Sequence, residues 1–96
     1  MKPLPVPIAF DWDIGNKDKN WEKHKVDTKE AEEVFFNKQL KLFPDIKHSS
    51  GEQRYVALGM TNLRRKLTII FAVRGQRVRI ISARNQSNKE RKQYEK

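Results

Sequence analysis

The chain has 96 residues, enough for one domain and too few for separate catalytic and regulatory halves. Only 36% of the residues are apolar and 34% are charged, with a mean hydropathy of -0.89, which leaves no apolar run long enough to span a membrane. The absence of cysteine excludes disulfides, thiolate zinc sites and thiol nucleophiles, while a net charge of +9 favours a polyanionic partner.

Pro3, Pro5 and Pro7 make residues 1–7 read as a flexible arm ahead of a single domain, residues 8–96. One charge and three prolines where a signal peptide needs an apolar stretch argue for a cytoplasmic protein. Ile8, Phe10 and Trp12 alternate with polar or small residues and predict a short strand. Asp13 is positioned to cap a helix over residues 17–24, weakened by Gly15, Asn16 and Asn20. Asp27-Thr28-Lys29-Glu30 has the form of a capping box and opens a second helix, with Ala31, Val34 and Phe35 on one stripe.

Gln39 to Phe43 predicts a strand that stops at the turn dipeptide Pro44-Asp45. After a polar loop, Arg54 to Met60 predicts another, with Val56, Leu58 and Met60 toward the core and Tyr55 away from it. Leu67 to Val73 is almost wholly apolar, as a central strand should be, and Arg74-Gly75-Gln76 turns it back into Arg77 to Ala83. Ser87 to Glu90 is a second capping box, opening a polar helix whose one large apolar group is Tyr94. So little apolar surface predicts a helix that is mobile in the isolated chain or docked on a partner. The order β-α-α-β-β-β-β-α predicts an α+β fold, an antiparallel sheet packed by the N-terminal helices with a C-terminal helix beside it.

Residues 1–63 carry ten Lys/Arg and ten Asp/Glu, so the whole excess lies in residues 64–96, where eleven Lys/Arg face Glu90 and Glu95. Such segregation marks a basic face for nucleic acid, or a solvated tail that only keeps the chain soluble. Arg54, Arg64, Arg65, Lys66, Arg77, Lys89, Arg91 and Lys92 are the candidate RNA contacts.

Asp11, Asp13, His24, Asp45 and His48 could ligate a metal, but the two histidines lack ligand spacing, so neither a metal nor another cofactor is expected. Metal-free RNA cleavage needs a base near the 2′-hydroxyl, cations for charge building on the phosphorane and an acid for the leaving oxygen. Lys23, His24, Arg79, Arg84, Glu90 and Tyr94 supply those types. Arg77 and Arg79 share a strand face; strict alternation puts Arg84 on the other, unless the strand has ended at Ala83. A salt bridge from Arg79 to Glu22 or Glu52, and a helix-capping role for His24, are the plainer uses of these residues.

Phe10-Asp11-Trp12-Asp13, then Lys17, Asn20, Lys23-His24-Lys25-Val26 and Glu30-Ala31, resemble the opening of the BrnT toxin family. Phe43-Pro44-Asp45, His48-Ser49, Gly51-Glu52, Arg54 and Gly59 follow its middle, and Arg79-Ile80-Ile81-Ser82-Ala83-Arg84, Glu90-Arg91 and Tyr94-Glu95 its close. The resemblance implies a RelE-like fold and a metal-independent endoribonuclease toxin of a type II toxin–antitoxin system that inhibits translation and growth. It also implies a ribbon-helix-helix, BrnA-like antitoxin, a complex of two toxins with two antitoxins, and operator DNA bound through the antitoxin. Lys25 stands where the family usually has glycine, and Val73 where many members have a glutamate. A basic nucleic-acid-binding or autorepression module without catalysis, and an interaction protein that docks an acidic partner, are the alternatives.

Overall fold

In the computed structural model of the chain the described residues are 4–5, 8–12, 14–46 and 51–96, with the backbone alone for 14–17. Asp13 and His48, expected as a helix cap and as a possible ligand, lie outside the described residues. The elements follow the expected order: β1 Phe10–Asp11, α1 Ile14–His24, α2 Thr28–Val34, β2 Lys41–Pro44, β3 Arg54–Met60, β4 Lys66–Arg74, β5 Arg77–Asn85 and α3 Asn88–Tyr94. They form an α+β domain around one five-stranded sheet of order β1-β5-β4-β3-β2. The sheet is mixed. β2 to β5 pair antiparallel, while β1 runs parallel to β5 through Phe10 with Val78 and Asp11 with Arg79.

The apolar run of β4 belongs at the centre of the sheet, where both faces are covered. Leu67, Ile69 and Phe71 are fully buried under α1 and α2, in a core with Val26, Ala31, Val34, Phe35, Ala57, Val78, Ile80 and Ala83. Tyr55 packs on the same cluster and stacks on Phe71 at 5.4 Å. The facing expected for β3 is therefore reversed. Tyr55, Ala57 and Gly59 meet the helices, and Val56, Leu58 and Met60 lie on the opposite face with Ile70 and Thr68. The reason is that β3 carries apolar groups on both faces, so alternation alone does not say which face the helices take. Gly59 is required for close approach: a Cβ there would stand 2.5 Å from a methyl of Val34.

Both capping boxes form. Asp27 and Glu30 close the start of α2, and Ser87 and Glu90 the start of α3. Gly75 takes φ 58 in the β4–β5 hairpin, a conformation that costs glycine little. α1 is a polar helix held by a specific bond. β1 reaches only as far as Arg79 along β5, so α1 covers the remaining edge and the buried Asn20 accepts the Ala83 N–H at 3.3 Å.

α1 ends at His24 with Lys25 at φ 55, and the N–H groups of Lys25 and Val26 return to the carbonyls of Trp21 and Asn20. A left-handed residue explains why glycine suits this position, and a lysine there carries roughly 1–2 kcal/mol of steric cost. The Lys25 ammonium also lies 5.5 Å from the Trp21 ring. Lys25→Gly and Lys25→Ala both lose that contact, so their difference isolates the backbone. In paired thermal melts Lys25→Gly should exceed Lys25→Ala by about 1 kcal/mol, roughly 4–8 °C in Tm; equal melts would show that the turn carries no strain.

Candidate active site

One irregularity decides what the open face of the sheet presents. In β5 the pairing with β4 shifts between Ile70 and Phe71: Phe71 faces Ile80 and Ile70 faces Ser82, which leaves Ile81 as the extra residue of a bulge. Val78 and Ile80 point to the core before it and Ala83 after it, three positions on rather than two. The side-chain parity flips, so Arg77, Arg79, Ser82 and Arg84 all lie on the face opposite α1 and α2. Strict alternation had separated Arg84 from Arg79, and the strand does not end at Ala83 but runs on to Asn85. The bulge reunites them.

Arg84 belongs to a compact group. Its guanidinium donates to both carboxylate oxygens of Glu90, at 2.7 and 2.9 Å, and to the Asn85 carbonyl at 3.3 Å. Glu90 also accepts from the Thr68 hydroxyl at 2.8 Å and the Ser87 N–H at 2.8 Å. The side-chain bond from Arg84, reinforced by Ser87 and Thr68, holds the Glu90 carboxyl down at about 2. It is permanently ionised at neutral pH and cannot serve as a proton donor. Its bonds instead aim Arg84, which among the described residues has two of its five N–H donors left for other acceptors.

His24 closes α1 beside this group. Burial, then the charges of Lys23 and Arg84, push its pKa below the ordinary 6.5, so the imidazole is neutral at pH 7 and able to take a proton. Its main chain is fixed from behind by Arg65. That guanidinium donates to the carbonyls of His24 and Lys25 at 3.0 and 2.8 Å, to Glu30 at 3.2 Å and to Asn85 at 2.8 Å. Arg65, expected to contact RNA, is thus spent on intramolecular acceptors and positions His24. Its partners lie 20 to 41 residues away in sequence, and no local pattern announces such a clamp.

The other expected site residues are placed apart. Arg79 pairs in register with Ala72 and Asp11, and Ala72 with Arg54, so Arg54 and Arg79 flank a fully buried alanine. Four residues of β4 separate this row from that of Thr68 and Arg84, roughly 13 Å along the strand. A hydrogen bond from Arg74, with the nearby charges of Arg54 and Arg79, holds the Glu52 carboxyl below its ordinary range. Arg79 therefore shares a field with Glu52, one of the two carboxylates expected for it. Tyr94 is buried; its hydroxyl donates to the Gln39 carbonyl and Lys41 lies over its ring at 5.9 Å, so it anchors α3 rather than joining His24.

α3 is docked on the sheet despite its polarity. Tyr94, the Arg84–Glu90 pair, the Lys66–Glu95 bridge and bonds from Lys41 to the carbonyls of Gln93 and Lys96 hold it. Apolar content alone had pointed to a loosely held helix, and these polar anchors come from remote strands. Of the remaining expected RNA contacts, Arg77 donates to the Phe10 carbonyl at 3.2 Å, Arg91 to Asn88 at 3.2 Å, and Arg64, Lys89 and Lys92 are exposed. A cavity of about 770 Å³ lined by Lys38, Lys41, Arg64, Lys66 and Tyr94 lies at the other end of α3, away from His24. Among the described residues no three His, Asp or Glu side chains gather as a metal site would need, and no helix is long and apolar enough to cross a membrane.

Comparison with known proteins agrees with this architecture. The crystal structure of the Brucella abortus ribonuclease toxin BrnT matches with a TM-score of 0.64 at 25% identity, over 84% of this chain and 97% of that one. No curated protein sequence matches the chain. The family model described as ribonuclease toxin, BrnT, of type II toxin–antitoxin systems matches residues 12–90, most of the length. The chain therefore belongs to the BrnT family of type II toxin–antitoxin ribonuclease toxins.

Proposed function

We propose that this chain is an endoribonuclease that cleaves RNA without a metal ion at the group formed by Lys23, His24 and Arg84. The observation that carries this reading is the neutral imidazole of His24 at the end of α1, which lies within the field of both Lys23 and the Arg84 guanidinium. His24 takes the proton of the attacking 2′-hydroxyl, and the free donors of Arg84 meet the charge that develops on the phosphorane. Lys23 adds positive potential beside His24 and protonates the leaving oxygen. Glu90 positions Arg84, and Arg79 with Arg54 holds the RNA strand two rows further along the sheet.

In this reading the chain works in the cytoplasm, where RNA cleavage stops translation. A ribbon-helix-helix antitoxin neutralises it in a complex of two toxins with two antitoxins, which binds operator DNA through the antitoxin. The basic third of the chain is the surface both polyanionic RNA and an acidic antitoxin segment would meet.

The test is RNA cleavage by the purified chain at equal rate with excess chelator and with added Mg²⁺. A rate abolished by the chelator overturns the metal-free chemistry, and salt-dependent binding without any cleavage leaves a binding module instead. Binding to a single-stranded oligoribonucleotide should weaken with salt by a slope of about 0.7 per phosphate neutralised. Replacing Arg77, Lys89 and Lys92 together by Gln should flatten that slope by about two. An unchanged slope would place the footprint elsewhere.

A further inference from the structure

The motif Phe43-Pro44-Asp45 takes no part in the chemistry above, yet its phenylalanine has a defined place. Leu42 packs on the helix-covered core, so by alternation Phe43 stands on the opposite, open face of β2. There it is in register with Val56 of β3, which faces Ile70 of β4, which faces Ser82 of β5. Phe43, Val56 and Ile70 are each half-buried, whereas Leu58, two residues beyond Val56, is fully buried on the side where α3 packs. An apolar row is thus left partly uncovered in the middle of the sheet.

Its flanks are cationic. One row along the strands stand Arg54 and Arg79; one row the other way stands Arg84 with its carboxylate partner. A flat apolar strip about 13 Å across, bounded on both sides by guanidinium groups, suits a ligand that carries negative charge along its length and planar apolar faces between the charges. A single-stranded nucleic acid has that alternation; an acidic peptide has the charge without the planar faces. Every base has a π-face, and an aromatic ring is the side chain on which bases stack.

We infer that Phe43 is a base-stacking residue that holds a nucleobase of the bound strand on β2, three strands across the sheet from Arg84, while the arginine rows on either side hold phosphates. The inference rests on the ribonuclease reading, and names the part of the face that would see the base. Pro44 ends β2 immediately after the ring, and the Asp45 N–H returns to the Arg54 carbonyl at 2.8 Å, which ties the strand end to the arginine row.

The experiment measures binding of the full chain to a short single-stranded oligoribonucleotide and to the same oligomer with abasic positions, at fixed salt. Phe43→Ala and Phe43→Leu should each weaken binding of the intact oligomer about tenfold, and Phe43→Tyr should keep it. None should change binding of the abasic oligomer or the salt slope. Phe43→Leu keeps an apolar side chain of similar size, and melting curves taken alongside separate a folding defect from a binding one. Equal affinity in wild type and Phe43→Leu, or the same loss on the abasic oligomer, overturns the stacking role. So does unchanged RNA binding together with a weakened antitoxin complex, which would assign the strip to protein. A wild-type chain that binds neither oligomer refutes the ribonuclease reading itself, an outcome distinct from all of these.

Discussion

His24→Ala should slow RNA cleavage by the purified chain about 10²-fold, the usual loss when one positioned proton-transfer group is removed. The melting temperature should change little, because Arg65 grips the His24 carbonyl rather than its side chain and the alanine keeps that bond. The pH profile adds a second readout. His24 acts as a base only when neutral, and burial and the neighbouring cations hold its pKa below 6.5, so the rate should rise with pH on a limb below that value and be level by pH 7. Lys23→Gln removes one of those cations and should move the limb upward. Full activity in His24→Ala would reduce the histidine to a helix cap.

Glu90→Gln should destabilise the fold by about 2 kcal/mol at neutral pH, after allowance for the part of the pair that faces water. Glutamine still closes the capping box with Ser87, so the loss reports the charge paired with Arg84. The Glu90 pKa falls from an ordinary 4.5 to about 2 in the fold. A depressed carboxylate contributes stability that is complete above about 4.5 and is lost as the pH falls toward 2. Wild type should therefore lose its advantage over Glu90→Gln across that acidic window, read as converging denaturant midpoints. A difference that persists at pH 2 would show that the residue stabilises by packing. Freed of its partner, Arg84 is less well aimed, and cleavage at neutral pH should fall along with stability.

The type and order of every element were legible in the sequence, because each is specified by neighbours. The two capping boxes, the turn at Gly75 and the apolar run of β4 act over three to nine residues, and all form where their residues stand. The basic third was legible in the same way, and the family likeness rests on such short strings. What the string could not state was parity and partnership. The run Arg77-Val78-Arg79-Ile80-Ile81-Ser82-Ala83-Arg84 alternates either with or without an extra residue, and only pairing against β4 inserts the bulge at Ile81 that carries Arg84 to the face of Arg79. β3 offered two apolar faces, and the helices chose the one with Gly59, where backbone and Val34 approach closest. Charge and residue type, which are local, marked Arg65 as a candidate RNA contact and Glu90 as a candidate catalytic residue. Their roles as clamp and aiming group were set by acceptors and donors that only the folded sheet brings within hydrogen-bond reach.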